Sequence, residues 1–443
     1  MRLKVLSSLL ALGIATAAVA QAPPPAFTFT FKGFVGASVF VQDASMGITP
    51  VGNNNQTGQI PVFAGNNAWN QGAPDKLMFG GDVRQTRLNF AVKGPTIGGD
   101  WTPNGVVELD WSGGFGGAPF GDENLLPRIR LAYVELSSGS NTIRVGQAHN
   151  LLVGFIPASA AHIAFPFAYG AGLIGWRSPG ITYLYKTTTS GGLNMEYGVQ
   201  INRNSWYDLT ASGTPVSQGE ASGLPQVQAR VMVSQGKNTS PFPLYPVADW
   251  LFFVAGHYDV KDLTNVAAVA GTNQKDKLTT YAVQAGYKSN QIENLTLAVN
   301  GWFGQNTGNL LGMIVQIGPV AQSPANQDLA SVTSYGVWGQ VGYAFGGPWS
   351  LWGMMGFENP DWKDAVWAFQ TANNPGGAAR VRNVNSAAML AWREGSVVLG
   401  LEWLHSFTTY GYGALPAAGG PPPTITTYSR NANQYMLTAD YFF

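Results

Sequence analysis

The residues best placed to do chemistry are arginines and carboxylates that recur at alternate positions. Arg87, Arg128, Arg130 and Arg144 fall on the polar parity of segments that alternate apolar and polar residues. Glu108 and Asp110 fall on the same parity in a segment between them, and Lys32 and Lys93 lie nearby in sequence order. A guanidinium keeps its charge and grips a carboxylate through two parallel bonds. Along a water-filled wall such a row would attract small anions, and a low-dielectric surround would focus its field. The alternative is that Glu108 and Asp110 neutralise the arginines and merely keep the wall polar.

A second candidate set lies in the stretch 149–177. It carries Phe155, His162, Phe165, Phe167 and Tyr169 and has no Asp or Glu. That is too apolar for a solvated loop, and a large exposed patch is a liability. The stretch is expected to fold inward or to be covered at a subunit contact. Catalytic chemistry finds no comparable set. His149, His162, His257 and His405 are scattered without metal-ligand spacing, and there is no cysteine. Asp122 and Glu123 could hold a cation, although a solvated pair is the simpler reading. The run Gly113 to Gly121 leads to Pro127 without an intervening helix, which argues against a nucleotide loop. No enzyme, metal or cofactor is expected, and zero net charge gives no reason to expect nucleic acid.

The elements that must position these residues read as strands. Tyr435, Leu437, Ala439, Tyr441 and Phe443 alternate with Gln434, Met436, Thr438 and Asp440, and the same period recurs along the chain. The pattern predicts sixteen strands, at 27–42, 83–94, 104–112, 127–137, 141–148, 178–188, 192–203, 224–235, 248–261, 278–289, 292–303, 333–345, 349–357, 381–393, 396–406 and 432–443. Short and long connections alternate between them. The tight ones include Ser138-Gly139-Ser140, Asn290-Gln291 and Glu394-Gly395, and 95–103 and 236–247 are longer than a tight turn needs. The long ones are 43–82, 113–126, 149–177, 204–223, 262–277, 304–332, 358–380 and 407–431. A β-sandwich has no reason to sort its loops this way, whereas outer-membrane barrels do. Aromatic residues such as Trp111, Tyr133, Tyr183, Tyr197, Tyr258 and Tyr441 share the apolar parity, as an interfacial belt would. Trp302, Trp338 and Trp352 fall on the other.

Composition agrees. Charged residues are 11% of the chain against roughly 25% in soluble proteins, and aromatics are 12%. Arg2 and Lys4, the apolar run Val5 to Val19 and the small residues around Ala18 and Ala20 form an export signal, with cleavage expected after Ala20. Residues 21–443 are then one barrel domain. An all-β transmembrane antiparallel barrel is the expected fold, with outer-membrane lipid around it.

The export signal, the sixteen-strand layout and the terminal Tyr441-Phe442-Phe443 resemble the trimeric bacterial porins. The run Gly80-Gly81-Asp82-Val83-Arg84-Gln85-Thr86-Arg87-Leu88-Asn89-Phe90 resembles a strand of DcaP-like porins. Arg128-Ile129-Arg130-Leu131-Ala132-Tyr133-Val134-Glu135-Leu136 and Arg144-Val145-Gly146-Gln147 resemble a later strand pair of that group. The N-terminal coiled-coil extension that many of them carry has no counterpart, since only Gln21 to Ala26 separates cleavage from the first strand. The resemblance implies a homotrimer in the outer membrane that passes small hydrophilic solutes by diffusion. It also implies a terminal aromatic read by the barrel assembly machinery, and a third long loop, 149–177, narrowing the lumen. An acid-free loop there departs from cation-preferring porins and favours neutral or anionic solutes. An adhesin or receptor working through its long loops is the alternative function, and a soluble secreted β-sandwich the alternative fold.

Overall fold

Alternation gives each strand an apolar and a polar face, and here the apolar face is the outer one. The computed structural model describes residues 27–44, 46–47, 60–61, 77–113, 126–205, 219–236, 249–262, 277–316, 331–369, 377–413 and 424–443. The export segment 1–20, residues 21–26, the glycine run after Gly113, Asp122, Glu123 and nearly all of the connection 236–247 lie outside the described residues.

Sixteen strands close into one antiparallel barrel. They are β1 (Thr28–Gln42), β2 (in two pieces, Met78–Asp82 and Arg87–Lys93), β3 (Thr102–Asp110), β4 (Arg128–Ser138), β5 (Asn141–His149), β6 (Arg177–Thr188), β7 (Leu193–Asn202) and β8 (Gln226–Gln235). They continue as β9 (Trp250–Asp262), β10 (Lys277–Ile292), β11 (Leu295–Gln305), β12 (Thr333–Ala344), β13 (Trp349–Pro360), β14 (Ala379–Glu394), β15 (Val397–Tyr412) and β16 (Thr426–Phe442). Each strand pairs with its neighbours in chain order. β16 returns to β1 with Val35 opposite Tyr441 and Val39 opposite Leu437. Gly33 and Phe443 exchange backbone hydrogen bonds of 3.0 and 3.1 Å at the end of that seam. A closed ladder leaves no strand edge, which is what a span through lipid requires. Among the described residues, no helix is long and apolar enough to cross a membrane.

The two faces differ as the alternation predicts. Val35, Tyr258, Leu401 and Tyr441 are exposed on the outer surface, while Gln42, Gln200, Asn300, Asn385 and Gln434 are buried inside. Trp302, Trp338 and Trp352 are buried inside as well.

Several local expectations are corrected. The second strand is broken, because the Asp82 carboxylate accepts the backbone N–H of Arg84 at 2.6 Å and turns the chain there. The turn after β10 is Glu293–Asn294, not Asn290–Gln291, with Asn294 at φ 61° and an irregular register between Ser289 and Ile292. β14, β15 and β16 extend further toward the long loops than the alternation suggested. Tyr133 is on the inner parity, not the outer. A bulge opposite Glu108 and Leu109 inserts an extra residue in β4 and reverses the parity beyond it. Val134 is therefore 58% exposed outside, and Tyr133 pairs with inward Val106.

The core sits inside the barrel. Leu152, Phe155, Phe167, Leu173 and Ile174 of the segment 150–176, between β5 and β6, pack against Phe253, Trp302, Trp338, Met354 and Leu404 of the wall. Phe155 meets Phe253 and Trp338 edge-on, with ring centroids 5.6 and 5.5 Å apart. Each such side chain contributes about 1.5–3 kcal/mol on burial. Residues 306–316, expected as part of a long loop, also join this core through Leu310, Ile314 and Val315. Within the connection 358–380, the helix α1 (Trp362–Phe369) packs beside them on β14. Asp361 caps it, accepting the N–H groups of Lys363 and Asp364 at 3.0 and 3.1 Å.

Candidate functional site

The carboxylates of β3 and the arginines of β4 face each other because the two strands pair Asp110 with Arg128. Arg128 grips Asp110 with both arms of its fork, Nε to Oδ1 at 3.0 Å and Nη2 to Oδ2 at 2.6 Å. Arg130 bridges both acids, Nε to Glu108 at 2.8 Å and Nη1 to Asp110 at 2.8 Å. The bulge makes this bridge possible by setting Arg130 and Leu131 together against Glu108. Gln147 satisfies the carbonyls that the bulge frees, donating to Ile129 and Arg130 at 2.8 and 3.1 Å. Arg87 reaches Glu108 at 3.7 Å from β2. Glu108 and Asp110 thus pair with the arginines.

One arginine outside the expected set alters the balance. Arg177, the first residue of β6, is 7% exposed and lies 4.1 Å over the Trp176 ring. Its side chain makes no ion pair among the described residues, and its buried Nη1 has no hydrogen-bond partner. Arg128, Arg130 and Asp110 are its electrostatic neighbours. Arg87, Arg128, Arg130 and Arg177 therefore stand against Glu108 and Asp110, an excess of two positive charges by count.

The remaining candidates lie apart from this cluster. Arg144 is held by Glu135 at 2.6 Å and rests 4.4 Å over the Tyr133 ring, nearer the tight-turn end. Lys32 and Lys93 are exposed near that same end, with no ion pair among the described residues. Further along the wall, on β6 to β8, Arg230 binds Glu196 at 2.6 Å, with Lys186 on the same carboxylate at 3.6 Å.

Segment 150–176 follows the inner wall, held at most steps by a side-chain amide. Gln200 accepts from the Leu151 N–H at 3.1 Å, and Gln340 both donates to and accepts from the Ala158 backbone at 2.8 Å. Gln85, presented by the break in β2, accepts from Ile163 and Ala164 at 2.6 and 3.0 Å. Asn385, Asn383 and Asn300 donate to the carbonyls of Phe167, Gly170 and Gly172 at 2.9, 2.9 and 3.0 Å. Glu402 is the charged anchor. It accepts from Ser159 at 2.7 Å and holds His162 in a short contact. Gly172, at φ 105°, lies so close to β12 that a Cβ would sit 2.3 Å from the Val337 carbonyl carbon. Gly175 donates to Leu310 at 2.7 Å, tying in the segment 306–316.

Of the five loop residues singled out from sequence, Phe155, His162, Phe167 and Tyr169 are buried in this packing. Phe165 is the one turned to the arginines. The Arg128 guanidinium is 4.9 Å from its ring and 5.7 Å from that of Trp176. Sequence reasoning passed over Arg177, Glu135, Glu402, Gln85 and the asparagines. Glu135 could have been found by folding the β4–β5 hairpin about Gly139, which sets it opposite Arg144. The partners of Glu402 and Gln85 have no signal in the linear sequence.

A closed barrel of sixteen antiparallel strands, with short turns at one end and long loops at the other, is the fold of outer-membrane channels. The chain is similar to the outer-membrane channel DcaP of Acinetobacter baumannii, at 17% identity and a TM-score of 0.63, covering 94% of this chain and 97% of that one. It is also similar to the trimer form of OmpT, an outer-membrane protein of Vibrio cholerae, at 12% identity and a TM-score of 0.50, covering 94% and 100%. No family model and no curated protein matches the sequence.

Proposed function

We propose that this protein is a bacterial outer-membrane channel through which small hydrophilic solutes diffuse passively, with a preference for anions such as small carboxylates. The short turns then face the periplasm and the long loops the exterior, and export depends on a signal cleaved after Ala20. The observation that carries the anion preference is Arg177, buried and without a carboxylate beside an arginine cluster that already outnumbers its acids. Segment 150–176 serves as the constriction loop. Its acid-free sequence puts no negative charge opposite the arginines, and Phe165 and Trp176 form the facing edge. An anion passing along this cluster can exchange water for guanidinium N–H groups, which suit carboxylate oxygens. The resident acids keep that attraction weak enough for release, as conduction requires. Assembly as a homotrimer in outer-membrane lipid completes the reading, and it rests on the resemblance of the sequence to trimeric porins.

Planar-bilayer recording of the purified, folded protein tests the proposal. Stepwise conductance is expected, with a reversal potential in a salt gradient on the anion-selective side. Absence of steps from folded protein overturns the channel, and cation preference overturns the selectivity.

A further inference from the structure

The inner wall carries a second cation whose charge nothing around it answers. Lys288 lies on β10 between outward Tyr287 and the next outer position, and its cross-strand partners Leu251 and Ala298 are both buried inside. Its side chain therefore points inward, onto an apolar patch. Among the described residues it makes no ion pair and no hydrogen bond, and it remains partly exposed. The inward carboxylate Glu196 on β7 is already bound by Arg230 and Lys186.

Its height relative to the loop is fixed by Gly286. A Cβ there would meet Phe253 at 2.5 Å and Phe155 of segment 150–176 at 2.9 Å. Gly286 is thus where the loop rests on β10, and Lys288 is the next inward position toward the tight-turn end. Arg177 opens β6 at the opposite, long-loop end. Arg177 thus lies with the arginine cluster toward the long-loop end, and Lys288 lies past the loop's rest on β10, toward the tight turns. An uncompensated ammonium beside apolar side chains holds counter-ions near it, and flux through a pore is helped by successive weak sites rather than one tight one.

We propose that Lys288 is a second anion-binding position on the periplasmic side of the constriction, working in series with Arg177. The inference rests on the anion-preferring channel proposed above. Its ligands are small inorganic anions and carboxylates, held by charge alone, since a lysine lacks the fork of an arginine.

The test uses the purified full chain in planar bilayers under a potassium chloride gradient. Lys288→Met keeps the length of the side chain and removes the charge. The anion-to-cation permeability ratio should fall by roughly two-fold or more. The loss should be larger in about 0.1 M salt than in about 1 M, where screening shortens from roughly 10 to 3 Å. Lys288→Arg should restore the ratio. A lysine that is merely solvated predicts no change in either variant. Anion preference in the wild type with an unchanged Lys288→Met variant overturns the role of Lys288 alone. Cation preference in the wild type overturns the channel reading and this inference together.

Discussion

In the proposed channel, Asp110 keeps a cationic wall from becoming a trap. It is buried, and both Arg128 and Arg130 bind it. Arg177, stacked on the Trp176 ring that Arg128 also approaches, makes no such ion pair among the described residues. The two residues should therefore move selectivity in opposite directions. Arg177→Met lowers the positive excess by one and should shift the reversal potential toward cations. Asp110→Asn raises it by one and should shift the potential toward anions. The second change also takes from Arg128 its one carboxylate and from Arg130 one of two, so urea unfolding of the folded barrel should show a loss on the order of 3 kcal/mol. Parallel shifts from the two variants would refute the electrostatic account.

The alternation made the strands of this barrel legible, because period-two patterning survives even where single residues mislead. Sixteen segments were readable, and the alternation of short and long connections arranged them as a barrel. What escaped was local. The Asx turn at Asp82 and the bulge opposite Glu108 each depend on one side-chain or register detail that leaves the apolar pattern intact, and the bulge moved Tyr133 to the inner face. The arginine wall was legible for the same reason as the strands. Arg177 was not, since it stands where a loop becomes a strand and parity has no reference. The loop contacts were beyond reach because asparagines and glutamines on β2, β7, β11, β12 and β14 meet only after closure. Their work depends on close approach, most of all at Gly172. Gly172→Ala puts a methyl into the Val337 backbone at a left-handed φ and should cost about 1–3 kcal/mol. Hydrogen exchange should show segment 150–176 loosened while β1–β5 keep their protection. Unchanged protection in the segment would show that the close approach is not needed.

At the scale of the whole molecule, closure turns a chain with few charges into a wall that separates oil from water. Lipid meets Val, Leu and Tyr, and the lumen side collects the carboxamides and the paired ions. Segment 150–176 is then a neutral rope tied to a rigid hoop. Residues 150–176 include no Asp, Glu, Lys or Arg, and six of the ties are carboxamides. Electrical work on a mobile part scales with the charge it carries, about 2.3 kcal/mol per elementary charge for each 100 mV. A segment whose titratable groups are His162, clamped to Glu402, and the buried Tyr169, which donates to the Gly175 carbonyl, gives a membrane potential nothing to pull on. The open channel should accordingly behave as a plain resistor, its current linear in voltage of either sign, with no voltage-driven closure that depends on this loop.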